Sequence, residues 1–214
     1  MDSSGRHQCL IYEGMPSNHQ PAVAAILLDK LQQNYRCLYL HSPPMIAGIH
    51  SHLAAAGLDV VHALKKTNLV LTSDRPHLAG GRFDVALMIN SLEETLNQAI
   101  RDGYVGLFAT GDMSWELGME KEPAKLLEYE WRLEKLFHER AELSGICQYH
   151  VGSLPPEMMR HSLLSHPSIF ISAKKSLTNP HYMDPKSFLH EATANARLDS
   201  AINHLCQSET VSAT

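Results

Sequence analysis

Apolar residues along the chain fall into short, nearly continuous runs, separated by longer stretches in which they recur every three or four positions. Residues 8–12 (QCLIY) form the first run. A turn-rich segment, 13–20, follows, and then residues 21–31, too long and too rich in Ala and Leu for another strand, so the order predicted is strand, loop, helix. Residues 36–40 (RCLYL) read as a second strand. Residues 44–56 place Ile46, Ile49, Leu53 and Ala56 on one helical face, ahead of Gly57 at a position that suits a left-handed stop. Residues 69–72 are a third strand, reached through 58–67, whose state the pattern leaves open. Residues 74–82, broken by Pro76 and Gly80-Gly81, read as loop. From Phe83 the spacing of Val85, Met88 or Ile89, Leu92, Leu96 and Ile100 is helical, with Gly103 as the stop. Residues 104–110 (YVGLFAT) are a fourth strand. Pro123 opens a long helix striped by Leu126, Glu130, Leu133 and Phe137; residues 146–151 and 168–171 are further strands around a short helix over 155–164.

Strands that are apolar on both sides and alternate with helices imply an α/β fold, a three-layer sandwich with a mostly parallel central sheet covered on both faces. Residues 1–172 are expected to form this domain. Residues 173–214 read as a linker and an appended C-terminal helix, capped by Asp184-Pro185, with Phe188, Ala192, Ile202 and Leu205 on one side and a disordered end. That apolar side would pack on the main domain or against the same helix of a second chain, giving a homodimer.

Composition narrows the function. The net charge of -5 and the thin scatter of Lys and Arg argue against direct nucleic-acid binding. No run approaches the roughly 20 apolar residues of a membrane span, and the first residues do not resemble a signal peptide, so a cytoplasmic protein is expected. The four cysteines lack CxxC spacing and read as buried free thiols. Fourteen histidines stand out, yet the close pairs, His7 with Cys9 and His50 with His52, give no metal-ligand pattern; on a strand His7 and Cys9 would share a face, whereas His50 and His52 on a helix would not.

In a parallel sheet, ligands bind beyond the carboxyl ends of the strands, which directs attention to four loops. The first, Gly14 to Pro21, stands where a nucleotide-binding domain carries GxxxxGK[ST]; the lysine and second glycine are missing, and two prolines remove amide donors. Glu13, Ser17, Asn18 and His19 in this loop are candidate ligand contacts, with Ser17 or Asn18 as a helix cap the alternative. His41 follows the second strand. Asp112 and Trp115 follow the fourth and make a pocket lining or, equally, a capped turn over the core. His150 ends the fifth. Glu130 is the odd residue on an apolar stripe; a buried carboxylate is costly unless paired, so it bridges to a cation such as Arg101 or Arg132, or faces a polar pocket. No catalytic constellation and no cofactor are predicted.

The segments His7-Gln8-Cys9-Leu10-Ile11-Tyr12-Glu13, Arg36-Cys37-Leu38-Tyr39-Leu40, Gly111-Asp112-Met113-Ser114-Trp115, Leu127-Glu128-Tyr129-Glu130 and Cys147-Gln148-Tyr149-His150, with His166-Pro167, resemble in order the MEDS family, a methanogen/methylotroph sensory domain first associated with a regulator of dichloromethane metabolism. The resemblance covers about residues 6–172. It implies a RecA/KaiC-like fold without a phosphate loop and a signal-input module, not an enzyme, that binds a small molecule and regulates a protein partner. His150 stands where the resemblance implies an acidic residue. Two other readings remain open: a degenerate nucleotide-binding enzyme of the same fold, and a metal or redox sensor built from His and Cys.

Overall fold

The structure is a computed structural model in which residues 5–120 and 122–184 are described. Residues up to Tyr182 form one compact unit. The expected tail helix with Phe188, Ala192, Ile202 and Leu205, and with it the homodimer contact, lies outside the described residues, as does Cys206.

The apolar runs become β1 (His7–Tyr12), β2 (Arg36–Leu40), β3 (Leu69–Thr72), β6 (Leu107–Asp112), β7 (Leu143–His150) and β8 (Ser168–Ser172), all parallel to their neighbours, with β9 (Lys175–Thr178) antiparallel along the edge. The sheet order is β3-β2-β6-β7-β1-β8-β9. Each inner strand is buried on both faces because its side chains alternate between two cores. Leu10 and Tyr12 of β1, Cys37 and Tyr39 of β2 and Phe108 of β6 point to α1 (Gln20–Gln32), α2 (Pro43–Ala55) and α3 (Val60–Lys65). Cys9, Leu40, Leu107, Cys147 and Tyr149 point to α4 (Val85–Arg101), α6 (Pro123–Glu139) and α7 (Pro156–Ser165). The α/β three-layer sandwich read from the sequence is the fold of the protein. Among the described residues no helix is long and apolar enough to cross a membrane.

Local chemistry explains where the pattern falls short. Residues 58–67 contain α3, started by Asp59, whose side chain accepts the His62 amide. The expected loop 74–82 folds back as a two-residue hairpin of β4 (Leu78–Ala79) and β5 (Arg82–Phe83), turned by Gly80 and Gly81 at φ +60° and +83°, a left-handed pair that favours glycine. The fourth strand starts at Leu107 rather than Tyr104, because the Tyr104 amide is still bonded to the Ala99 carbonyl at the end of the preceding helix, at 3.0 Å. The sheet also continues past Ser172 into β9.

The chain leaves β1 for α1 on one face and leaves β7 for α7 on the other, although the two strands are neighbours. The carboxyl ends of β1 and β7 therefore mark the point in the sheet where the connections change face, the usual place for a ligand to meet side chains from several strands.

Candidate functional site

Asp112 lies beside that point, at the carboxyl end of β6, the other neighbour of β7. It ends β6 and caps α5 (Met113–Glu116): Oδ1 accepts the Trp115 amide at 2.9 Å and the Ser114 hydroxyl, and Oδ2 accepts the Tyr12 hydroxyl at 2.9 Å. The side chain is only 1% exposed. Burial and the neighbouring carboxylate hold the Tyr12 phenol far above its ordinary pKa, so it stays a donor.

His41 comes in from β2. The Ser42 amide, which can only donate, bonds to His41 Nδ1 at 2.8 Å, so the neutral ring carries its proton on Nε2. That Nε2–H is buried without a protein partner and lies 3.7 Å from Asp112 Oδ2, beyond hydrogen-bond reach. Burial lowers the His41 pKa against the pull of Asp112, which keeps the ring neutral. The indole N–H of Trp115 is a second buried donor without a protein partner, and the Arg75 guanidinium covers the indole face at 3.8 Å. His19 and His150 flank Tyr12, their rings 4.6 and 5.1 Å from its ring.

The structure thus brings together His19, His41, Asp112, Trp115 and His150 of the nine predicted contacts. Glu13, Ser17 and Asn18 are exposed, and neither Ser17 nor Asn18 caps a helix: the residue before α1 is His19, and no side chain caps it. The segment from Gly14 forms a single turn of 3-10 helix (Pro16–His19) running into α1 with Pro21 in its first turn, so it offers no ring of backbone amides to a phosphate. The three described cysteines are buried and free, as expected.

Glu130 requires a correction. Arg132 is taken by Glu128 at 2.7 Å and Arg101 by Gln98 at 2.6 Å. Glu130, with no exposed surface, instead accepts the Tyr149 hydroxyl and faces Ser165 Oγ and His166 Nε2, each at 3.5 Å. It lies between Tyr149, near the carboxyl end of β7, and His166, just before β8, and shares no hydrogen-bond partner with Asp112. There the donor atoms of His7, Glu130, Cys147 and His166 lie within 4.8 Å of one another, all buried.

The sequence reading also missed Glu116. Its carboxyl group is buried in the space left by the absent side chain of Gly111, and Oε2 has no protein partner. Burial, reinforced by Asp112 and Glu130, raises its pKa well above the carboxylate range, so it is a neutral acid. It stands at the wall of a small cavity of about 30 Å³ lined by Leu38, Leu40, Met88 and Cys147 among others. The detectable signal was Gly111 placed before a short helix that ends in an acid.

A family model, described as MEDS, the methanogen/methylotroph, DcmR sensory domain, matches residues 6–167. The chain is also similar to the transcriptional repressor DcmR of Methylorubrum extorquens, 27% identical over 160 residues that make up 75% of this chain and 57% of the relative. The chain spans little more than half the length of that curated protein. With a family match over residues 6–167, most of its length, the chain belongs to the MEDS family of sensory domains.

Proposed function

We propose that the domain senses a small, uncharged or cationic molecule held between Tyr12, His41 and Asp112, and passes the binding event to a regulatory protein partner in the cytoplasm. The observation that carries this reading is the His41 Nε2–H, buried without a protein partner 3.7 Å from the Asp112 carboxylate. A buried donor left unsatisfied costs about 1–3 kcal/mol, and a ligand oxygen that accepts from it recovers that cost. The Asp112 carboxylate disfavours an anion. Signalling follows if the ligand binds one arrangement of the β1, β2 and β6 loops more tightly than another, since only differential affinity shifts an equilibrium. By analogy with the repressor it resembles, the partner is a component of transcriptional control; a DNA-binding segment elsewhere in the same polypeptide is one form it can take.

The test is a thermal-shift screen of the full chain against neutral and cationic molecules of few heavy atoms, followed by calorimetry. In Asp112→Asn the α5 cap is retained, since Asn caps as well as Asp, yet the charge-assisted contact is lost. Affinity for a hit is expected to fall about 10- to 100-fold. Unchanged affinity in both Asp112→Asn and His41→Ala would exclude this site.

A further inference from the structure

The second buried cluster has the makings of a metal centre. His7 opens β1, Cys147 lies in the middle of β7, Glu130 on α6, and His166 joins α7 to β8; no sequence motif joins them, but their donor atoms fall within 4.8 Å of one another in a region closed to solvent. Both imidazoles are oriented from behind. The Ser162 carbonyl can only accept, so its 2.7 Å contact with His166 Nδ1 places the proton there and leaves Nε2 as a bare lone pair. That Nε2 has no hydrogen-bond partner although His166 has no exposed surface, and it points at Glu130 Oε2. His7 Nδ1 meets Glu134 Oε2 at 2.6 Å, and Glu134 is itself held by the Tyr182 hydroxyl at 2.7 Å. With the His7 proton on Nδ1, its Nε2 faces Cys147 Sγ at 3.6 Å. A histidine whose far nitrogen is tied to a carboxylate or a carbonyl is the usual outer-shell arrangement of a metal ligand. Glu130 is prepared in the same way, because Tyr149 holds Oε1 and leaves Oε2 to the cluster.

We propose that His7 Nε2, Glu130 Oε2, Cys147 Sγ and His166 Nε2 bind one divalent ion of the zinc class in a closed, four-ligand site. The donor set of two imidazoles, one thiolate and one carboxylate is borderline-soft and suits zinc rather than calcium or magnesium, which take oxygen ligands. Ligands at about 2.0–2.3 Å from a common tetrahedral ion sit roughly 3.3–3.7 Å apart, so the cluster contracts by about 1 Å on binding. The Cys147 thiol and the Glu130 carboxyl each release a proton to solvent as the sulfur–metal and oxygen–metal bonds form. Thiolate and carboxylate then cancel the 2+ charge, and the buried site carries no net charge. The ion would tie α6 and the α7–β8 connection to the two central strands.

The experiment uses the full chain, stripped with chelator and reloaded with one equivalent of Zn²⁺ or Co²⁺. Expected are one bound ion per chain, a thiolate-to-cobalt charge-transfer band, and in the zinc form an X-ray absorption shell of one sulfur at about 2.3 Å with three nitrogen or oxygen atoms near 2.0–2.1 Å. The band disappears in Cys147→Ser and survives in Cys9→Ser. Glu134→Gln, at a residue that meets the four proposed ligands by hydrogen bond at His7 Nδ1, weakens zinc binding about 10- to 100-fold. The X-ray absorption measurement needs no variant and stands even if Cys147→Ser does not fold. A shell without sulfur, no stoichiometric uptake by the folded chain, or a charge-transfer band that persists in Cys147→Ser would overturn the proposal.

Discussion

Gly145→Val is expected to destabilise the domain by about 3 kcal/mol or more, the upper range for overpacking a filled core. Gly145 lies in β7 between β6 and β1, opposite Ala109 on one side and His7 on the other. A Cβ there would overlap the Ala109 carbonyl oxygen, which belongs to the sheet backbone and cannot swing aside, and would press on the Phe137 ring at 3.3 Å. That ring lies flat on His7, 4.2 Å between centres, so the missing side chain lets Phe137 cover the buried histidine. Chemical denaturation measures the loss; in heat it corresponds to a fall of roughly 6–12 °C for a domain of this size. A Val variant within about 0.5 kcal/mol of the parent would show that β6 and β7 are not as closely apposed as described.

The second large effect is a pH dependence set by Glu130. Burial raises its pKa to about 8, against the smaller opposing pull of the Tyr149 hydroxyl. A carboxyl whose folded pKa is raised favours the protonated form in the fold. Its contribution is therefore complete below the unfolded value near 4.5 and is lost as pH rises through 8. His7 runs the other way: burial lowers it to about 3, so its contribution is present above 6.5 and is lost as pH falls from 6.5 towards 3. Metal-free protein should thus lose on the order of 3–5 kcal/mol through Glu130 between about pH 5 and pH 8. Glu130→Gln cannot ionise and should lack that component. Unfolding free energies of both proteins across this range, in chelator, decide it; parallel profiles would mean that Glu130 is already ionised in the fold.

These effects also show what sequence can and cannot disclose. The inner strands were legible because burial on both faces makes each an unbroken apolar run, and the helices because one face repeats every three to four residues. β9 was not legible: all four of its residues are exposed, so nothing in its pattern distinguishes an edge strand from a linker. Asp112, His41, His19 and His150 could be placed by the rule that ligands gather at strand ends. Glu13, Ser17 and Asn18 share the first loop, but loop side-chain direction is not set by spacing, and they face solvent. Glu130 was conspicuous as an acid on an apolar stripe; its partners were not, because Tyr149 and His166 reach it through strand pairing and a helix crossing rather than along its own helix. The same holds for His7 beside Cys147, 140 residues apart in the chain. Even so, His7, Glu130, Cys147 and His166 all fall within the segments that carried the family resemblance.

The central claim is that a small molecule binds at the carboxyl edge of the sheet. Crystals of the full chain soaked with a fragment library of small neutral and cationic molecules test it most directly. Bound fragments are expected at this edge, accepting a hydrogen bond from His41 Nε2 and contacting Asp112 beside Tyr12. Fragments that gather elsewhere, with none beside Asp112, would contradict it.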